Sequence, residues 1–241
     1  MVVRLLFFTI IFFGFIASHF IQSTHASPKL GKVDFPTSGS GLAQRHFISG
    51  VAALHSFWYP EALKEFQRST KADPAFAMGY WGEAMAHNAP LWERQDSKSA
   101  KVALSKISDL LGLTQREQDY IQAVQLLYGK GEKKNRDNAY SNAMKKIYIK
   151  YPKDLEAACF YSLSLLGIAR NAGGEIKLKV DSGAIALEVY EQNPDHPCAA
   201  HYAIHAFDHP DLARLALPSA QRYAKIAPAS HHAQHMPAHI F

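Results

Sequence analysis

Cysteine is scarce: the 241 residues contain only Cys159 and Cys198. Two are too few for a disulfide framework, even in an oxidising compartment. Neither has the spacing of a zinc ribbon or a haem attachment site. Each lies in an apolar helical pattern, which reads as a buried free thiol, with a single bridge open if the two helices are neighbours. Strand-like alternation is absent, and so are the strings His-Glu-x-x-His and Gly-x-Ser-x-Gly and any phosphate-cradling glycine loop. Charge of one sign is not concentrated either. The net charge is +5 with histidines neutral, and the basic residues are scattered without interleaved aromatics, which argues against a nucleic-acid partner.

Long apolar runs are confined to the first segment. Met1 to Arg4 forms a short basic region, Leu5 to Ala17 is almost unbroken apolar sequence, and Thr24-His25-Ala26 ends it on a small residue. This pattern predicts a secretory signal over 1–26, cleaved near Ala26, and hence a periplasmic or extracellular protein. An uncleaved anchor is the rival reading, but the run is short for a bilayer span. No second run follows that could cross a membrane once the signal is removed. Residues 27–41, with Ser38 to Gly41 at their end, read as a flexible linker, and 42–241 as one helical domain.

Within that domain, apolar residues recur at three- and four-residue steps. Gly, Pro and Asn fall between the apolar segments rather than inside them. Four segments end alike, at Ala72-Asp73-Pro74, Lys150-Tyr151-Pro152, Gln192-Asn193-Pro194 and Ile226-Ala227-Pro228. The last two prolines are 34 residues apart. The earlier intervals, 78 and 42, imply a degenerate repeat and an insertion, and the breakers Asn171 to Gly174 place the insertion within Arg170 to Lys179.

Period and punctuation together resemble the tetratricopeptide (TPR) repeat family. A unit from Ala43 to Phe76 matches the motif at Gly50, Ala62, Phe66 and Pro74. A later unit, Pro197 to Ser230, matches at Ala216 and Pro228, with Ala220 where an aromatic is usual. The strings Phe76 to Met85, His201 to Ala206 and His235 to Phe241 look like those of exported bacterial TPR proteins. The resemblance implies an all-α, right-handed α-solenoid of antiparallel helix pairs whose concave groove takes a protein or peptide partner. Phe241 falls mid-pattern in the first helix of a repeat, so the pattern predicts that the chain is a fragment truncated at its C-terminus.

Eight of the thirteen histidines lie between His196 and His239. His201 and His205 form an i,i+4 pair, and His235 and His239 repeat it 34 residues later. Residues four apart share a helix face, so stacked repeats bring four imidazoles to one patch. Imidazole suits Zn, Cu, Fe or Ni. In TPR register the pairs fall at groove-lining positions, and Asp208 joins them as a carboxylate ligand or as a partner for a ring N–H. The bland alternative is a set of structural histidines with one hydrogen bond each. Pro237 interrupts the second pair and predicts a kink or a new helix start there. His231 and His232 are second-tier candidates at the same groove, while His196 and His209 adjoin prolines and read as exposed loop residues.

Glu83 and His87 form another i,i+4 set, read as a buried hydrogen-bonded pair rather than as ligands. Trp81 and Met85 read as core, with an aromatic ligand platform as the alternative. The sequence therefore points to an exported scaffold that binds a partner or ligand and a divalent transition metal through His201, His205, His235, His239 and Asp208. The alternative is a metal-dependent enzyme that uses the same cluster with an open coordination position and Asp208 or Glu83 as base.

Overall fold

The computed structural model describes residues 29–171 and 175–241, and their regular secondary structure is almost all helix. The expected signal segment lies outside them, as do residues 172–174 of the expected insertion. The helices are α1 (Gly41–His55), α2 (Tyr59–Ala72), α3 (Ala77–Ala86), α4 (Ser97–Leu104), α5 (Gln115–Leu127) and α6 (Lys133–Lys150). They continue with α7 (Leu155–Asn171), α8 (Ile176–Gln192), α9 (Pro197–Phe207), α10 (Leu217–Ile226) and the short α11 (His231–His235). From α5 to α10 each helix packs on its sequence neighbours, as α1, α2 and α3 do. The few strand residues are one antiparallel ladder, Asn88–Ala89 with Arg94–Gln95. No helix among the described residues is long and apolar enough to cross a membrane.

The proline stops build one recurring turn. After α2, α6, α8 and α10, a four-residue connector closes with an i to i+3 backbone bond: Phe76 N to Asp73 O, Asp154 N to Tyr151 O, His196 N to Asn193 O and Ser230 N to Ala227 O, all at 2.9–3.1 Å. Proline sits second in each, where its fixed φ suits a type I turn and where helix cannot continue. The fourth residue then starts the next helix. The side chains of Asp154, His196 and Ser230 accept from backbone N–H groups of the first turn that would otherwise be unpaired.

Close approach of the first three helices depends on missing side chains. A Cβ on Gly50 would lie 2.6 Å from the Phe66 ring, and one on Gly82 would lie 2.2 Å from it. Phe66 of α2 therefore rests on bare backbone of both α1 and α3. Gly183 of α8 accommodates Phe207 of α9 in the same way, at 2.3 Å.

Residues 29–40, expected as a flexible linker, are instead a strap laid over the helices and anchored in the core by Leu30 and Phe35. Phe35 is fully buried, with its ring 5.2 Å from Phe47, 5.7 Å from Trp81 and 5.0 Å from Tyr120. Arg116 covers it at 4.4 Å. Polar bonds fix the strap: Lys32 N to Asp195 O at 3.0 Å, Arg116 Nη1 to Pro36 O at 2.9 Å, and Ser38 N to the Glu117 carboxylate at 2.7 Å. Burial of the Phe35 ring stabilises the strap by roughly 1.5–3 kcal/mol, and these polar bonds offset a further part of its ordering cost. Trp81, against Phe35, and Met85, against Tyr140, are buried core residues, so they form no ligand platform. Glu83 accepts from the Thr70 hydroxyl at 2.6 Å, rather than serving as the partner expected for His87.

The two cysteines, expected as free thiols, form a bridge between α7 and α9 with a Cα–Cα distance of 6.0 Å. The helix stops at Lys150 and Gln192 lie where the sequence places them. The insertion is narrower than expected, since α7 runs to Asn171 and α8 begins at Ile176.

Candidate metal centre

His201 sits in the middle of α9 and is fully buried. Its Nδ1 lies 2.6 Å from the carbonyl oxygen of His55, at the end of α1. A carbonyl only accepts, so Nδ1 carries the proton and donates. Nε2 is then left with a bare lone pair. It is buried and has no hydrogen-bond partner. This is the orientation that metal-binding histidines take, one nitrogen tied to a backbone carbonyl and the other free.

That lone pair does not point into empty protein. His205, one turn further along α9, and His232, on the second position of α11, bring ring nitrogens to it, and the three ligand atoms lie within 4.8 Å of one another. His205 Nε2 and His232 Nε2 are 3.3 Å apart. Two nitrogens on a tetrahedral Zn²⁺ at about 2.0–2.1 Å are themselves separated by roughly 3.3 Å. Burial holds all three rings in the neutral, ligating form. The His201 pKa is pushed well down by burial and then by its two histidine neighbours. Burial and His232 bring His205 to about 3, and burial chiefly brings His232 to about 4.

Phe57 forms the floor. It follows α1 in the left-handed region, φ 54°, where the Schellman pairing closes: Phe57 N to Leu54 O and Trp58 N to Ala53 O. Glycine is usual at this position, and a phenylalanine is strained there. The strain puts the ring 4.2 Å from His201 and 5.5 Å from both His205 and His232. The short ladder after α3 carries Trp92 to the same wall, 6.0 Å from His232.

A cleft of about 670 Å³ opens over the cluster. Leu91, Trp92, Leu166 and Met236 give it apolar walls, and Lys179 and Arg170 line it as well. Asp208, His235 and His239 face the same cleft. His239 Nδ1 lies 2.9 Å from Asp208 Oδ2, and His239 Nε2 lies 2.9 Å from His235 Nε2.

The five expected residues are thus gathered at one place but not as one set. His201 and His205 pair with His232, whereas His235, His239 and Asp208 form a separate group at the exposed edge. Pro237 is the cause. It has no N–H and its ring opposes the preceding turn, so α11 ends at His235 and residues Met236–His239 continue as a 3₁₀ turn. His239 therefore does not reproduce the placement of His205. His232 takes the vacant role because, 34 residues after Cys198, it occupies the inward position one turn before the repeated pair.

A second buried constellation lies behind the first. His196, expected as an exposed loop residue, is fully buried. Its Nδ1 accepts from Cys198 N–H at 3.2 Å, so Nε2 carries the proton and donates to Glu156 at 2.8 Å. His55 Nε2 donates to the other Glu156 oxygen at 2.7 Å, and His55 Nδ1 accepts from the Tyr202 hydroxyl at 2.8 Å. Every polar atom of the three is used, with Glu156 as carboxylate and both rings neutral. Burial alone would raise the Glu156 pKa, but the two imidazole neighbours outweigh it and hold it at about 2. Burial pushes His55 below its ordinary value, although Glu156 opposes that shift. His55, Cys159 and His196 bring ligand atoms close together, but Cys159 is already bonded to Cys198 and Nδ1 of His196 is engaged by a backbone amide, so this group reads as structural. It sets the position of the His55 carbonyl that orients His201.

Comparison with family models, with curated proteins and with solved structures returns no match to this chain.

Proposed function

We propose that this chain is an exported TPR-like α-solenoid that holds a divalent transition metal through His201, His205 and His232 and presents it to a ligand in the cleft above. One observation carries the reading: the lone pair of His201 Nε2 is buried, unpartnered and fixed in direction by the His55 carbonyl. Leaving such an atom unpaired costs roughly 1–3 kcal/mol, and an ion shared with His205 and His232 removes the penalty. An all-imidazole donor set suits Zn²⁺, Cu²⁺, Ni²⁺ or Fe²⁺. The TPR reading is supported by the recurring Pro turn and the 34-residue register of α9 and α11, and export by the sequence of residues 1–26. Because Phe35 and its strap cover Trp81, the partner or ligand is assigned to the cleft lined by Trp92 and Met236 rather than to the surface around Trp81.

The catalytic reading rests on the same geometry. His205 and His232 line the 670 Å³ cleft, and an ion held by the three protein nitrogens would supply an activated water or Lewis-acid polarisation of a substrate oxygen there. Within that reading this chain's residues bind and orient: Phe57 and Trp92 exclude water from one side, and Asp208 at the cleft edge orients His239.

The test is calorimetric titration of Zn²⁺ into chelator-stripped, full-length protein carrying no histidine tag. The tightest binding step is expected to disappear in the His205→Ala/His232→Ala double variant and in His201→Phe, which keeps the packing volume. Circular dichroism should show unchanged helicity. Retention of that step in both variants overturns the assignment.

A further inference from the structure

The edge of the cleft repeats the chemistry of its floor. His239 Nδ1 faces a carboxylate oxygen of Asp208 at 2.9 Å. An ionised carboxylate only accepts, so Nδ1 carries the proton and Nε2 keeps its lone pair. That nitrogen faces His235 Nε2 at 2.9 Å. Two imidazole Nε2 atoms meeting head-on, one ring oriented from behind by a carboxylate, is the carboxylate–histidine–metal arrangement. In the absence of an ion a single proton can bridge the two nitrogens. A divalent ion in its place requires them to separate only from 2.9 Å to roughly 3.3 Å.

The two donor sets are mechanically joined. His232 and His235 are three residues apart on α11, hence on one helix face with Cβ atoms about 5–6 Å apart. His232 completes the inner set and His235 the outer one, and both line the same cleft. We infer that the cleft is a two-metal centre, with a second divalent transition metal bound by His235 and His239 and oriented by Asp208. This rests on the inner set being a metal site as proposed above. With two protein nitrogens and exposed surroundings, the outer ion keeps solvent or ligand positions open and binds more weakly than the inner one.

Zinc stoichiometry of the chelator-stripped full chain separates the possibilities, with Zn²⁺ alone as the probe. Wild type is expected to take two equivalents. His235→Ala/His239→Ala should take one, retaining the tighter step, while His205→Ala/His232→Ala should also take one but lose the tighter step. Asp208→Asn should weaken only the looser step, by about 10–100-fold. A His209→Ala/His231→Ala control should leave both steps intact. One equivalent that is insensitive to His235→Ala/His239→Ala leaves the inner site standing and overturns the second ion. One equivalent lost on either double substitution means a single shared ion and also overturns it. No bound zinc in wild type overturns both readings.

Discussion

The buried carboxylate behind the metal centre offers a perturbation whose size can be worked out. In Glu156→Gln the amide oxygen can still accept from His196 Nε2–H, whose tautomer is locked by Cys198 N–H. The amide nitrogen then opposes His55 Nε2–H, donor against donor. His55 can relieve this by moving its proton to Nδ1, but that deprives the Tyr202 hydroxyl of its acceptor. The variant thus loses a charge-assisted bond, worth about 1.5–3 kcal/mol, and orphans a buried donor. Relief of carboxylate desolvation offsets part of this. A net loss of about 2 kcal/mol at neutral pH is expected, or roughly 4–8 °C in Tm for a domain of this size.

The pH dependence carries the sharper signature. Glu156 has a folded pKa of about 2 against 4.5 for the unconstrained group, so its contribution is fully present above 4.5 and is lost as pH falls towards 2. With both rings neutral their hydrogen bonds are what lowers it, so the span is at most about 3 kcal/mol, and on the order of 1 kcal/mol of it is gone by pH ~3.5. The gap between wild type and Glu156→Gln should therefore narrow by up to about 1 kcal/mol between pH ~7 and ~3.5. His55 is held low chiefly by burial in both proteins; loss of the raising influence of Glu156 lowers it further in the variant and offsets part of this narrowing. Urea melts followed by circular dichroism, with chelator present throughout, measure this gap. Parallel stability curves, or a variant more stable than wild type at neutral pH, would refute the protonation pattern assigned to the triad.

Two further substitutions test how the scaffold is held. Phe35→Ala should cost about 3–5 kcal/mol, because its ring is wholly enclosed among Phe47, Trp81 and Tyr120; a urea-melt difference below about 1 kcal/mol would mean that the strap is not part of the folded core. Gly82→Ala places a methyl 2.2 Å from Phe66, so α1, α2 and α3 must separate or Phe66 must leave its rotamer, at about 1–3 kcal/mol by thermal melting; an unchanged melt would refute the close approach.

What the sequence makes legible follows from what is local. The turns at Pro74, Pro152, Pro194 and Pro228 depend on a few neighbouring residues and can be read directly. His201 and His205 share a face through helix geometry alone, and the 34-residue register brings the next histidines into the same cleft. The errors come from contacts that no local pattern records. Phe35 lies in an extended stretch without periodicity, and only the aromatic cage around it decides its burial. His196 adjoins a proline and resembles a loop residue, yet it caps α9 and turns inward to Glu156. Glu156 carries no motif at all. Its partners are 101 and 40 residues away in sequence, so only tertiary packing reveals it.

The places where this chain departs from its own local rules converge on one point. Phe57 occupies a backbone conformation that favours glycine, Pro237 cuts short a helix that would otherwise repeat α9, and His201 keeps a buried lone pair without a partner. The first and third each cost on the order of 1–3 kcal/mol, which is large against a typical total stability of about 5–15 kcal/mol. Elsewhere the Pro turns and glycine contacts agree with the fold, and the other non-glycine residue in the left-handed region among the described residues, Glu93, follows Trp92 at the wall of the same cleft. Strain distributed at random would scatter along the chain, whereas here it surrounds the three imidazoles: Phe57 touches all of them, and the break at Pro237 ends the helix that supplies His232. Structure that is costly in the free protein and compact around a set of neutral donor nitrogens is what a binding site built for an ion requires.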